Sequence, residues 1–169
     1  MIHSKYLIKL FIVISILSGT YLLCLNESIA SPSYNADYYF AQGEKKYNSG
    51  DNAGAIKDYN MAIELKPKYA DAYCGRGLAR YALGDKEGPI EDLSKAIELD
   101  PKCAVAYYNR GLARYLLGDN TGAIKDYNKA IELNPKYADA YNGRSLARKA
   151  LGDKAGAASD YSKYLELLR

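Results

Sequence analysis

Ala104–Tyr137 reads AVAYYNRGLARYLLGDNTGAIKDYNKAIELNPKY, and the chain repeats it. Ala70–Cys103, ADAYCGRGLARYALGDKEGPIEDLSKAIELDPKC, is identical to it at about two-thirds of its positions. Ala36–Tyr69 and Ala138–Arg169 are looser copies. Pro67, Pro101 and Pro135 fall 34 residues apart, as do Gly50, Gly84, Gly118 and Gly152, each followed by Asp. A constant period of this length, without insertions, marks a stack of supersecondary units that cannot each bury an apolar face alone.

Within a unit, numbered from its first Ala, the residues dictate a helical hairpin. Position 8 is Gly43, Gly77, Gly111 or Ser145, small enough for two helices to cross closely. Gly at position 15 ends the first helix in a left-handed cap. Asp51, Asp85, Asp119 and Asp153 then cap the next helix, where a carboxylate accepts free backbone N–H groups. Pro at position 32 stops the second helix. Pro89 falls in the first turn of its helix, where proline is tolerated. The pattern predicts helix pairs over 36–49 and 52–65, 70–83 and 86–99, 104–117 and 120–133, and 138–151 and 154–168.

The recurring residues resemble the tetratricopeptide repeat (TPR) family, over about four-fifths of the chain. That family carries an aromatic at position 4, a small residue at 8, Ala at 20, an aromatic at 24, Ala at 27 and Pro at 32. The third unit supplies Tyr107, Gly111, Ala123, Tyr127, Ala130 and Pro135. The first supplies Tyr39, Gly43, Ala55, Tyr59, Ala62 and Pro67. The second departs with Pro89 and Leu93, and the fourth with Ser145 and Tyr164. The resemblance implies an all-α fold, a right-handed α-solenoid of stacked helix-turn-helix hairpins over 36–169, with units 36–69, 70–103, 104–137 and 138–169.

It also implies a non-enzymatic interaction scaffold whose first helices line a concave groove for a protein or peptide. Carried over residue by residue, the groove takes Asp37, Phe40, Glu44, Tyr47 and Asn48 from the first unit, and Asp71, Cys74, Leu78, Tyr81 and Ala82 from the second. Val105, Tyr108, Leu112, Tyr115 and Leu116 follow from the third, and Asp139, Asn142, Leu146, Lys149 and Ala150 from the fourth. Tyrosines at such places serve as rigid interface anchors or merely as cover for neighbouring helices. The Lys, Asn and Arg set with which chaperone-binding TPR domains clamp a terminal carboxylate does not stand at the matching positions, which argues against that ligand.

Residues 1–30 are a separate object. Lys5 and Lys9 precede an uncharged apolar run from Leu10 to Leu25, and Ser28-Ile29-Ala30 offers small residues before a cut at Ser31. This is the pattern of a secretory signal; its length also suits an uncleaved anchor. Either places the repeats outside the cytosol, with membrane contact only through residues 1–30 if uncleaved. Residues 31–35, SPSYN, read as a polar linker.

Composition narrows the chemistry. The 169 residues are 49% hydrophobic and 25% charged, with net charge +3. The one histidine is His3, in the export segment, so the repeats have no imidazole for acid–base or metal work. Cys74 and Cys103 match no zinc spacing, and the expected separation of their helices disfavours a disulfide. No phosphate loop or nucleophile elbow appears, so neither enzyme activity, cofactor nor metal is expected.

Two other readings compete. Arg76, Arg80, Arg110, Arg114, Arg144 and Arg148 recur at positions 7 and 11, as in a nucleic-acid-binding helical repeat, but the near-neutral charge counts against a polyanion. The last helix, crowded with Leu165, Leu167 and Leu168, suggests end-to-end self-assembly of a structural repeat protein. The arginines need anions if buried, and position 23 offers Asp58, Asp92, Asp126 and Asp160. Because the first unit has Gln42 in place of Arg, the expected arrangement is a ladder between units: Asp58 to Arg76, Asp92 to Arg110, and Asp126 to Arg144.

Overall fold

The structure is a computed structural model and describes residues 34–169. Residues 1–30, where the sequence leads one to expect an export segment, and residues 31–33 of the linker lie outside the described residues. Eight α-helices follow one another, with no strand among the described residues. They are α1 Ala36–Asn48, α2 Asn52–Leu65, α3 Ala70–Ala82, α4 Gly88–Leu99, α5 Ala104–Leu116, α6 Asn120–Leu133, α7 Ala138–Ala150 and α8 Lys154–Leu167. Each odd helix packs antiparallel on the next to form a hairpin, and each even helix packs on the following odd one.

The hairpin turns follow the chemistry of Gly-Asp. Gly118 adopts φ 83°, and its counterparts Gly50, Gly84 and Gly152 adopt the same left-handed conformation. The next residue caps the second helix: Asp51 accepts from the Gly54 N–H at 2.8 Å, and Asp119 from that of Gly122 at 2.8 Å. Asn35, read as linker, caps α1 by accepting from the Tyr38 N–H at 2.8 Å.

One helix start differs from expectation. α4 begins at Gly88 rather than 86. In the other hairpins the first helical bond runs from position 20 to the Asp carbonyl, as Ala55 N–H to Asp51 and Ala123 N–H to Asp119. Pro89 has no N–H to make it, so the first turn opens, although Asp85 still accepts from the Gly88 N–H at 3.0 Å.

The core is built from small residues and a few rings. Ala55, Ala62, Ala72 and Ala79 enclose Tyr59; Ala123 and Ala147 enclose Tyr127; Leu93, Ala96 and Ala106 fill the corresponding place between. The small position 8 is a steric requirement: a β-carbon on Gly111 would lie 2.9 Å from Tyr127 Cε1. In the fourth hairpin Ser145 stands there and donates to the Ala157 carbonyl at 2.7 Å. Among the described residues no helix is long and apolar enough to cross a membrane.

Candidate functional site

The expected groove follows from which helices touch. Helices α1, α3, α5 and α7 contact one another in succession, whereas α2, α4, α6 and α8 do not. The first helices are therefore on the inside of a curved stack, and their free faces line it.

On that face the candidate residues range from packed inward to exposed. Phe40 and Tyr108 pack inward. The Phe40 ring lies 6.0 Å from that of Tyr59 and 5.0 Å from that of Tyr69. Tyr108 repeats this with Tyr127 at 5.9 Å and Tyr137 at 4.9 Å. In the second hairpin the same places hold Cys74, Leu93 and Cys103, three smaller residues substituted together. Tyr47 and Tyr115 are half-buried, packed against the cores that hold Tyr59 and Tyr127. The exposed group comprises Tyr81, Val105, Leu116 and Leu146, 41%, 47%, 55% and 43% accessible, with the acids Asp71 and Asp139 among them. Leu78, Leu112 and Asn142 lie between, half-buried. Tyr81 and Leu116 border a pocket of about 250 Å³, and Asn142 and Leu146 border one of about 530 Å³ against Tyr161 at the end of the stack.

Tyr69 and Tyr137 were missed by the positional reading, although they complete the ring stacks. A signal existed within the chain: position 34 is Tyr where position 5 is aromatic, and Cys103 where it is Cys74.

The electrostatics of this face are those of buried phenols near carboxylates. The Tyr59 hydroxyl donates to Glu44 Oε1 at 2.7 Å. Burial pushes the Tyr59, Tyr127 and Tyr137 phenols upward, and that of Tyr69 up to about 12, with Asp37 adding to the last. Cys74 and Cys103 are free thiols. Burial, then the neighbouring Cys103, pushes the Cys74 thiol up to about 12, so it stays protonated and unreactive at neutral pH.

The arginines overturn the expected ladder. Asp92 receives Arg76 Nε at 2.9 Å and Arg80 Nη1 at 2.8 Å, both from its own hairpin. Asp126 does so with Arg110 and Arg114, and Asp160 with Arg144 and Arg148. Asp58 meets Lys46 at 2.7 Å, so the neutral Gln42 leaves no carboxylate unserved. Positions 7 and 11 lie one helical turn apart and flank position 23 of the antiparallel partner, which places both cations on one buried carboxylate. What crosses the boundary is the third guanidinium nitrogen: Arg76 Nη1 donates to Asn60 at 2.7 Å, Arg110 Nη1 to Ser94 at 3.1 Å, and Arg144 Nη1 to Asn128 at 2.7 Å. The same guanidiniums lie over Tyr73, Tyr107 and Tyr141.

Comparison with known proteins agrees with this architecture. The family model described as TPR repeat matches residues 36–84, 77–118 and 111–152. The crystal structure of MamA is similar at 29% identity and TM-score 0.75, over 79% of this chain and 78% of that one. The first TPR of Spaghetti (RPAP3), bound to the HSP90 peptide SRMEEVD, is similar at 28% identity and TM-score 0.69, over 71% of this chain and 95% of that one. MamA from Desulfovibrio magneticus RS-1, at 22% identity and TM-score 0.74 over 81% and 77% of the two chains, shares the fold. No curated protein matches. With a repeat model matched three times in succession over these hairpins, and solved neighbours of the same architecture, the chain belongs to the tetratricopeptide repeat family.

Proposed function

We propose that this protein is a non-enzymatic scaffold that holds a protein or peptide against the inner face of its first helices, within an assembly at the cell envelope. The observation that carries this reading is the exposed row of Tyr81, Val105, Leu116 and Leu146 on that face. A stack whose hairpins satisfy one another has no internal use for these side chains, and apolar side chains left exposed along one face serve binding. The peptide on the RPAP3 neighbour shows that a similar fold takes such a ligand. The six arginines, paired to buried carboxylates, favour a protein over a nucleic-acid ligand. The envelope location rests on the pattern of residues 1–30.

The test is co-purification from an envelope extract of the native host, with the wild-type chain and with Tyr81→Ala and Leu146→Ala. Both side chains are exposed, so helicity should be kept while the partner is lost. Retention of the same partner by both variants would remove this face from the site. Intact mass of the protein from that host checks the location: a chain beginning at Ser31 indicates export with cleavage, and one retaining Met1 in the membrane pellet indicates an anchor.

A further inference from the structure

The first and third hairpins carry the same three-ring stack, but differ in what surrounds it. In the first, the Lys66 ammonium lies 4.0 Å from the centre of the Tyr69 ring and 3.8 Å from Asp37 Oδ1. The buried Tyr59 hydroxyl donates to Glu44. In the third hairpin the corresponding residues are Asn134 for Lys66, Val105 for Asp37 and Leu112 for Glu44. Tyr127 is fully buried, yet its hydroxyl has no hydrogen-bond partner among the described residues. The Tyr127 ring lies 5.9 Å from that of the groove residue Tyr108, and Tyr115 packs against the same core. Asp139 follows Tyr137 by two residues, as Asp71 follows Tyr69; it is exposed and has no ion-pair partner among the described residues.

An acid in the first turn of a helix is accounted for by the macrodipole, so Asp139 alone says nothing of a ligand. The contrast between the two hairpins says more. The first fills its cation and acceptor places from its own chain. The third leaves both open, beside exposed Tyr81 and Val105, and carries a buried donor whose desolvation no contact offsets.

We propose that the groove at the third hairpin takes a basic peptide segment. A Lys or Arg side chain sits over Tyr137 with its charge toward Asp139, apolar neighbours lie against Tyr81 and Val105, and a carbonyl oxygen accepts from Tyr127. This rests on the protein-binding reading above and narrows it to a charge class. Lys66 on Tyr69 is the chain's own instance of a cation on this ring, held there by Asp37; Val105 stands at that place in the third hairpin, and Asp139 is the carboxylate that would take over the charge. The charge of the face agrees: at the inward positions Asp37, Glu44, Asp71 and Asp139 outnumber Lys149. Such a face steers cations toward it and repels acidic segments. Tyr115 packs against the core that holds Tyr127, so the proposed carbonyl reaches the hydroxyl only with a rotamer change there.

The test pans the purified full-length chain against a random peptide library, then remakes each binder with its Lys and Arg residues replaced by Gln. The expected binders are rich in Lys and Arg. Asp139→Asn should weaken the basic peptide about fivefold and leave its Gln analogue unchanged. Tyr127→Phe should weaken both peptides without loss of stability. The acidic peptide SRMEEVD should show no Tyr81-dependent affinity. Acidic or neutral binders that still depend on Tyr81 overturn this proposal and leave the protein-binding reading standing. An absence of binders, or binding indifferent to both Asp139→Asn and Tyr81→Ala, overturns both.

Discussion

The ring of Tyr59 is seated on Gly75 of the following hairpin: a β-carbon there would lie 2.6 Å from Tyr59 Cζ. Tyr127 and Gly143 repeat the contact at the same 2.6 Å. Where Leu93 replaces the tyrosine, the next hairpin carries Asn109 instead of glycine. At these two boundaries the close approach is therefore made by a tyrosine and a glycine, and at the middle boundary the sequence changes both members together.

Gly75→Ala should accordingly destabilise the protein, although alanine is the better helix former by about 1 kcal/mol. The added methyl meets a ring that is itself enclosed, and overpacking of this kind costs about 1–3 kcal/mol. Asn109→Ala, opposite the smaller Leu93, should change stability little. Thermal unfolding followed by circular dichroism decides the matter, and a higher Tm for Gly75→Ala would contradict the seating.

The arginine pairs make a separate prediction. Asp92 is 2% exposed and is shared by two guanidiniums that keep some contact with water. Asp92→Asn should cost about 3 kcal/mol, because it leaves both cations half-buried without their anion. In double-mutant cycles, Asp92→Asn should couple to Arg76→Gln and add independently to Arg110→Gln. Coupling to Arg110 instead would restore the ladder between hairpins.

The two buried tyrosines at position 24 should respond in opposite ways to loss of the hydroxyl. Tyr59→Phe removes the bond to Glu44 and should cost about 1 kcal/mol. Tyr127→Phe removes a buried donor without a partner and should be neutral or stabilising by about 1 kcal/mol. Urea denaturation of the two variants makes the comparison, and equal losses would mean that Tyr127 has an acceptor.

Stability should also fall at alkaline pH. Burial raises the Tyr59, Tyr127 and Tyr137 phenols above the ordinary value near 10. A group whose folded pKa is raised contributes stability that is fully present below its unfolded value. That contribution is lost as pH climbs toward the folded value. Tm should therefore decline above about pH 10, and part of the phenolate absorbance should appear only together with loss of helicity. Complete phenol titration of a protein that remains helical would show that these rings are open to water.

The sequence alone determined the architecture. A constant 34-residue period, with Gly-Asp at each turn and proline after each second helix, specifies hairpins and their order, because caps and breakers act on the backbone within a few residues. The resemblance to the repeat family added the expectation that the first helices line a groove, and the packing does set those helices against one another in succession. What the sequence could not assign was which charges meet. Asp92 is compatible in sequence with Arg76 or Arg110, and only the antiparallel packing of α3 on α4 brings the former to it. Nor could it separate anchor from cover among the tyrosines. Tyr81 and Tyr115 occupy the same repeat position, yet Tyr81 is exposed and Tyr115 packs against the core containing Tyr127. The difference goes with the residue on the partner helix, Leu93 in one hairpin and Tyr127 in the other: Tyr115 has the larger ring's core to pack against. Local rules set the hairpins, and the contacts between them decided which side chains remained exposed.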